Sequence, residues 1–200
     1  MTPMTPMTPK SERSGRQVAL LRGINVGGHR RVPMAELRTV LTDQLGLTDV
    51  ASYIHSGNVV FSEPSAKRID SVESIDAAIS ATIADHFGFE VPVVVRNIAE
   101  LTDLLERSAE IHPPTSDAQS HDKRVMIGFL TAAPTSDVVA AIDPDRSAGD
   151  SVIVEGAHTH IRYASGQSST RLTGDYLERV LGVGMTTRNL TTVRKLVALA

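Results

Sequence analysis

The chain has 200 residues, of which 41% are hydrophobic, and it carries a formal net charge of −3 at pH 7. This length allows one domain or two small ones with a packed core, and no run approaches the roughly 18 consecutive apolar residues of a membrane span. The absence of cysteine excludes disulfides and thiolate chemistry, so we expect a cytoplasmic protein that does not enter a membrane.

The N-terminal segment repeats "MTP" three times and predicts a disordered tail over residues 1–16. Proline at every third position prevents a helix, and the segment offers too little apolar surface to form a core. It also lacks the apolar stretch of a secretory signal. Met4 or Met7 would serve as a start as well as Met1 does, so the sequence leaves the start codon open.

The segment 17–112 predicts a first compact unit. Pro33 suits the first turn of a helix, and "SGN" at 56–58 suits a hairpin turn. Apolar periodicity predicts, in chain order, a strand Gln17–Arg22, a helix from Pro33 to Gly46, strands Val50–His55 and Val59–Ser62, a helix Ile69–Phe87, a strand Val91–Arg96 and a connecting helix Asn97–Ser108.

A linker rich in Pro, Ser and Asp is predicted over 113–122, and a second unit follows over 123–200. Asn189 is well placed to cap the last helix. The predicted elements are a strand Arg124–Leu130, a helix from Pro134 to Ile142, strands Ser151–Glu155 and His158–Tyr163, a helix Arg171–Leu181, a short strand Gly184–Thr187 and a helix Leu190–Leu199.

The same element order therefore occurs twice. Two β-α-β-β-α-β units predict an α+β fold of tandem ferredoxin-like subdomains, each with an antiparallel sheet, plus a C-terminal helix.

Charge is unevenly distributed along the chain. Residues 10–38 hold seven basic and two acidic side chains (net +5), residues 182–200 hold three basic and no acidic ones (net +3), and residues 40–120 hold four basic and thirteen acidic ones (net −9). This asymmetry favours a site for an anion. The alternative is that solvated helix faces simply differ in charge.

The loop after the first strand, "RGINVGGHRR", is rich in glycine and arginine. It matches neither G-x-G-x-x-G nor a P-loop. Glycines nonetheless allow backbone N–H groups to approach a ligand, and a helix N-terminus follows closely. The loop therefore predicts an anion site; alternatively, its glycines form a crossover turn and Arg22 pairs with a buried acid.

His158 and His160 are the best metal candidates, since a spacing of two on a strand puts both on one face. A zinc site needs at least three protein ligands, and the sequence places no third one near them. We therefore expect an exposed strand face there, no metal and no cofactor.

The last motif, "TTRNLTTVRKL", repeats the pattern of a strand end, an arginine and a helix cap. Together, "ALLRGINVGGHRRVPMAELR", "YIHSGNVVFS" and "LERVLGVGMTTRNLTTVRKL" resemble the bacterial family known as domain of unknown function 1697, over about Val18 to Leu196. In that family His55 is often glutamine and Leu190 often tryptophan, so this chain lacks an aromatic ring beside Arg188. The resemblance supports the α+β prediction and implies no established activity, substrate or cofactor.

The leading hypothesis is a protein that binds, or also turns over, a small anionic or phosphorylated molecule. The alternatives are a nucleic-acid-binding module using the basic terminal segments, or a purely architectural interaction domain. The sequence indicates no reaction type and no oligomeric state. We expect Arg22 and Arg188 to lie close together, with an anion or an internal carboxylate between them. The predicted ligand contacts are Arg22, Asn25, Gly27, Gly28, Arg30, Asn58, Arg188 and Asn189.

Overall fold

The first strand follows directly from its apolar sequence, since Val18 to Leu21 are all buried in the computed structural model, which describes residues 15–27, 30–63 and 74–200. The expected tail lies outside the described residues except for Gly15 and Arg16, and Arg16 begins the strand. The first half consists of β1 (Arg16–Leu21), α1 (Met34–Leu45), β2 (Thr48–Tyr53), β3 (Asn58–Ser62), α2 (Ile75–Phe87) and β4 (Val93–Asn97).

Two helices connect this half to the next one. They are α3 (Ile98–Ile111) and α4 (Ala118–Arg124). The second half then consists of β5 (Val125–Leu130), α5 (Ser136–Ala140), β6 (Ser151–Glu155), β7 (His158–Arg162), α6 (Gly174–Leu181) and β8 (Met185–Asn189), and α7 (Leu190–Leu199) closes the chain.

Each half contributes one four-stranded antiparallel sheet. The strand orders are β2-β3-β1-β4 and β6-β7-β5-β8, and every described neighbouring pair is antiparallel. The predicted α+β class with two antiparallel sheets of four strands is therefore confirmed, with seven helices among the described residues.

Helices α1 and α2 cover the outer face of the first sheet. Successive side chains of a strand point to opposite faces, so Ala19 and Leu21 of β1 pack against apolar residues of these helices, among them Leu37 and Ile79. Gly46 ends α1 in the left-handed conformation, with φ of 67°. In the second sheet, α5 and α6 cover the corresponding outer face.

The inner faces of the two sheets share one core. Val18 and Leu20 of β1 and Ile127 and Phe129 of β5 belong to the same buried cluster. Helices α3 and α7 complete this cluster through residues such as Leu101. The two halves are therefore held together by apolar packing as well as by the polar contacts described below.

Several boundaries differ from the sequence prediction. Residues 113–122 were predicted as a linker, but most of α4 lies there, because Asp117 accepts a hydrogen bond from the N–H of Ser120 and caps that helix. Helix α6 begins at Gly174 rather than Arg171, because Thr173 caps it. The predicted start of α2, at residues 69–73, lies outside the described residues.

Among the described residues, no helix combines the length and the apolar character that crossing a bilayer requires.

Candidate functional site

The loop between β1 and α1 is closed by Asn25. This residue has a left-handed backbone, with φ of 56°, and its N–H donates to the carbonyl of Arg30 at 3.1 Å. Its side-chain amide donates to the carbonyls of Val32 (3.0 Å) and His55 (2.7 Å), and its oxygen accepts from the N–H of Val32 (2.9 Å). Asn25 therefore fixes the loop against the β2–β3 hairpin.

The other predicted loop residues lie at the surface. Gly27 is exposed with φ of 61°, and Arg30 is exposed with φ of 47°. Gly28 lies outside the described residues.

Arg22 pairs with carboxylates of α6. Its guanidinium donates to Glu178, and it also lies 3.5 Å from Asp175. Glu178 is held from its other side, because its Oε1 accepts from the N–H of Met185 at 2.7 Å. The internal carboxylate that the sequence analysis allowed as a partner of Arg22 is therefore Glu178.

Arg188 is buried, with 9% of its surface exposed. Its Nη2 donates to the carbonyls of Leu21 (2.8 Å), Ser56 (3.2 Å) and Gly57 (3.3 Å). Its Nη1 donates to Thr186 Oγ1 and to the Thr187 carbonyl, both at 2.8 Å. Burial lowers the pKa of Arg188 to about 10, so the side chain is charged at neutral pH.

The other two predicted asparagines also have partners within the protein. Asn58 is fully buried; its oxygen accepts from Arg188 Nε, and its amide donates to the carbonyl of Tyr53 at 3.2 Å. Asn189 accepts from the N–H of Thr192 at 2.9 Å, which confirms it as the N-cap of α7.

Arg22 and Arg188 therefore belong to neighbouring but separate contacts. Arg188 hydrogen-bonds the backbone of Leu21, the residue immediately before Arg22. The Arg22 side chain instead pairs with Glu178. Each guanidinium is held by its own protein partners.

A cavity of about 830 Å³ lies beside the loop. Among the described members of the predicted set, Asn25 alone lines it. The sequence analysis did not select the others, although Arg31 follows the predicted Arg30 directly. The lining residues are Asn25, Arg31, Val32, Pro33, Met34, Ala35, Arg38, Ser52, Ile54 and His55.

The cavity has a positive lining. Arg31 is exposed and Arg38 is half-buried, with Arg38 Nη1 donating to Ser52 Oγ at 2.6 Å. Among the described residues that line the cavity, none is acidic. The first turn of α1 also lies there, and no side chain caps its N–H groups. Two guanidiniums therefore line the cavity, with no acidic side chain beside them among the described lining residues.

The prediction of an exposed face at His158 and His160 is wrong. His160 is fully buried, and only 14% of the His158 side chain is exposed. Both lie on the inner face of their sheet, where His160 contacts Ser108 of α3 and His158 contacts Arg96 of β4. Ser108 Oγ lies 2.6 Å from His160 Nδ1, and burial lowers the pKa of His160 to about 4.

His158 joins a polar cluster between the halves. Its Nε2 lies 3.0 Å from Arg96 Nε and 2.9 Å from Glu100 Oε1. The hydrogen bond to His158 is the largest of the effects that hold the pKa of Glu100 below its usual value. In the described part of the chain, no three His, Asp or Glu side chains are grouped as metal ligands.

Comparisons with known proteins identify a structural relative and a sequence family. It is similar to a solved structure described as conserved bacterial protein SP0830 from Streptococcus pneumoniae, with 26% identity, a TM-score of 0.56, and coverage of 92% of this chain and 97% of the other. No curated protein matches. The sequence model of the family described as "Protein of unknown function (DUF1697)" matches residues 15–159, a range that includes the whole cavity lining and ends before Arg188. The chain belongs to the DUF1697 family.

Proposed function

We propose that the protein binds a small anionic molecule in the cavity between the β1–α1 loop and the β2–β3 hairpin. The observation that carries this proposal is the pair of arginines, Arg31 and Arg38, in a lining that contains no acidic residue among those described. Guanidinium groups bind phosphates and carboxylates through charge-assisted hydrogen bonds, often in pairs.

The size and the position of the cavity support this function. A volume of about 830 Å³ falls within the range of small-molecule sites. Unsatisfied N–H groups and the positive end of the helix dipole at the first turn of α1 favour a negative charge. Asn25 contributes by holding the loop and the hairpin together, as its bonds to Val32 and His55 indicate.

The proposed site is centred on different residues from those predicted from the sequence. Arg22, Asn58, Arg188 and Asn189 make hydrogen bonds within the protein, which support an architectural role for them. The arginines expected to bind the anion are instead Arg31 and Arg38. The exposed Arg30 is an additional charge in the loop.

We further infer that each half is a ferredoxin-like subdomain, over 17–112 and 123–200. The support is the repeated β-α-β-β-α-β order, together with strand orders that correspond position by position between the two sheets.

The experiment is a calorimetric titration of the full chain with inorganic phosphate at low ionic strength. Arg31→Gln and Arg38→Gln should each weaken binding by about tenfold or more, since a charge-assisted hydrogen bond contributes about 1.5–3 kcal/mol. Arg171→Gln is the matched control, because Arg171 is exposed in the second half and outside this lining. The absence of wild-type binding, or an equal loss in the control, would contradict the proposal.

Salt dependence separates this function from nucleic-acid binding. A protein that neutralises several phosphates of a duplex loses affinity steeply as salt rises. A duplex oligonucleotide should therefore be titrated beside inorganic phosphate. Tight duplex binding with a steep salt slope, in place of phosphate binding, would favour the nucleic-acid alternative.

A further inference from the structure

The cavity lining is amphiphilic. Besides Arg31 and Arg38 it contains Val32 and Met34, which are buried with 1% and 6% of their surface exposed. It also contains Ile54, which is 51% exposed and is one of four large hydrophobic residues found exposed in the described part of the chain. A site for a free inorganic ion would need only the charged part of this lining.

Ile54 has an unfavourable backbone for its type. Its φ of 53° lies in the left-handed region, where a β-branched residue is an outlier and a strained conformation costs on the order of 1–3 kcal/mol. Glycine or asparagine would relieve most of this strain. An exposed side chain also contributes little burial to the fold. Stability therefore does not explain an isoleucine at this position.

The volume of the cavity also favours an organic ligand. A cavity of about 830 Å³ accommodates an organic molecule, and sites of this kind combine apolar walls with a few polar groups that orient the ligand. Ile54 offers apolar surface to such a molecule, and binding would remove that surface from water.

We propose that the ligand is an organic phosphomonoester with an apolar body, whose phosphate contacts Arg31 and Arg38 and whose carbon body packs on Ile54. This inference rests on the anion-binding function proposed above and names its ligand class. Two guanidiniums match the dianionic charge of a phosphomonoester better than the single charge of a carboxylate.

The test compares three probes by calorimetry on the full chain: inorganic phosphate, phenyl phosphate and benzoate. Wild type should bind phenyl phosphate about tenfold more tightly than inorganic phosphate, and benzoate more weakly than phenyl phosphate. Ile54→Asn should abolish the preference for phenyl phosphate over inorganic phosphate and raise the melting temperature. Ile153→Asn is the matched control, since Ile153 is also exposed but lies on β6.

The outcomes separate this inference from the proposed function. Phosphate binding that needs Arg31, without any preference for phenyl phosphate, would overturn the inference and leave anion binding intact. Equal binding of benzoate and phenyl phosphate would overturn the phosphomonoester assignment. Phenyl phosphate binding that survives Arg31→Gln would overturn anion binding at this cavity, and so would the absence of binding by all three probes.

Discussion

Arg188 Nη2 lies 2.8 Å from the backbone carbonyl oxygen of Leu21, 167 positions away in the chain. Arg188 is on β8 in the second sheet and Leu21 ends β1 in the first. The same guanidinium also reaches Asn58 at the start of β3. One buried arginine thus joins the last strand of the second half to the β2–β3 hairpin of the first, with backbone carbonyls and neutral side-chain oxygens as acceptors.

Arg188→Met should lower the free energy of unfolding. The substitution removes the donor to the buried oxygen of Asn58, and one stranded buried acceptor costs roughly 1–3 kcal/mol. Urea denaturation measures the change. The double variant Arg188→Met with Asn58→Leu should lose less than the sum of the two single variants, because it removes both partners of one contact. Strict additivity would show that the two residues are not coupled.

Arg22→Ala should cost little by comparison. Its side chain is 41% exposed, and its partner Glu178 keeps the backbone hydrogen bond from Met185. Glu178 is itself only 15% exposed, so the loss should lie toward the upper end of the about 0.2–1 kcal/mol that an exposed ion pair contributes. A urea midpoint close to that of wild type at high salt is the expected result. A loss as large as that of Arg188→Met would mean that Arg22 holds a buried charge.

Gly57→Ala should destabilise the chain more than Gly156→Ala does. Each glycine lies in the hairpin of its own sheet with positive φ, 76° for Gly57 and 56° for Gly156. A Cβ on Gly57 would lie 2.6 Å from Leu21 Cβ, whereas one on Gly156 would meet no atom within 4 Å. The left-handed backbone should lower the free energy of unfolding of both variants by roughly 1–2 kcal/mol. Overpacking should lower that of Gly57→Ala alone by about 1–3 kcal/mol more. Equal melting temperatures for the two variants would contradict this reading.

Stability should depend on pH through His160. Burial lowers its folded-state pKa from 6.5 to about 4, so the unfolded chain binds more protons between these values. The contribution of neutral His160 is fully present above pH 6.5 and is lost as pH falls toward 4, with a slope of up to about 1.4 kcal/mol per pH unit.

Urea denaturation from pH 7 to 4.5 measures this slope. His160→Gln should flatten it, whatever the variant's stability at pH 7. The exposed His55 supplies the control, and His55→Gln should keep the wild-type slope. An unchanged slope in His160→Gln would assign the acid sensitivity to other groups, such as the buried His112, whose pKa burial also lowers.

The order of the elements could be predicted because it depends on local signals. Apolar periodicity located the strands, and Asn189 was recognisable as a cap because an N-cap side chain bonds only two or three residues ahead. Helix α4 was missed because Pro114 and a run of small polar residues obscured Asp117, a cap of the same local kind.

The polar contacts between the halves could not be predicted from the sequence. The sequence predicted Arg188 and Asn58 as ligand contacts, but they bond to each other across 130 positions, and no local pattern encodes which acceptor a distant donor meets. His158 and His160 were expected at the surface for the same reason. Period-two alternation shows that they share a face, whereas whether that face is covered depends on what packs against it.

The sequence by itself determined the family, the α+β class, the repeated order of helices and strands, and the loop in which Asn25 and Arg30 occur. Only the tertiary structure decided which arginines line a cavity and which are buried. Arg31 and Arg38 share a lining with Ile54 and His55 because α1 packs beside the β2–β3 hairpin. Arg188 is buried because the last strand pairs with β5 and faces the first sheet. Burial and proximity arise from packing between elements, and packing is a property of the assembled core rather than of any local stretch of chain.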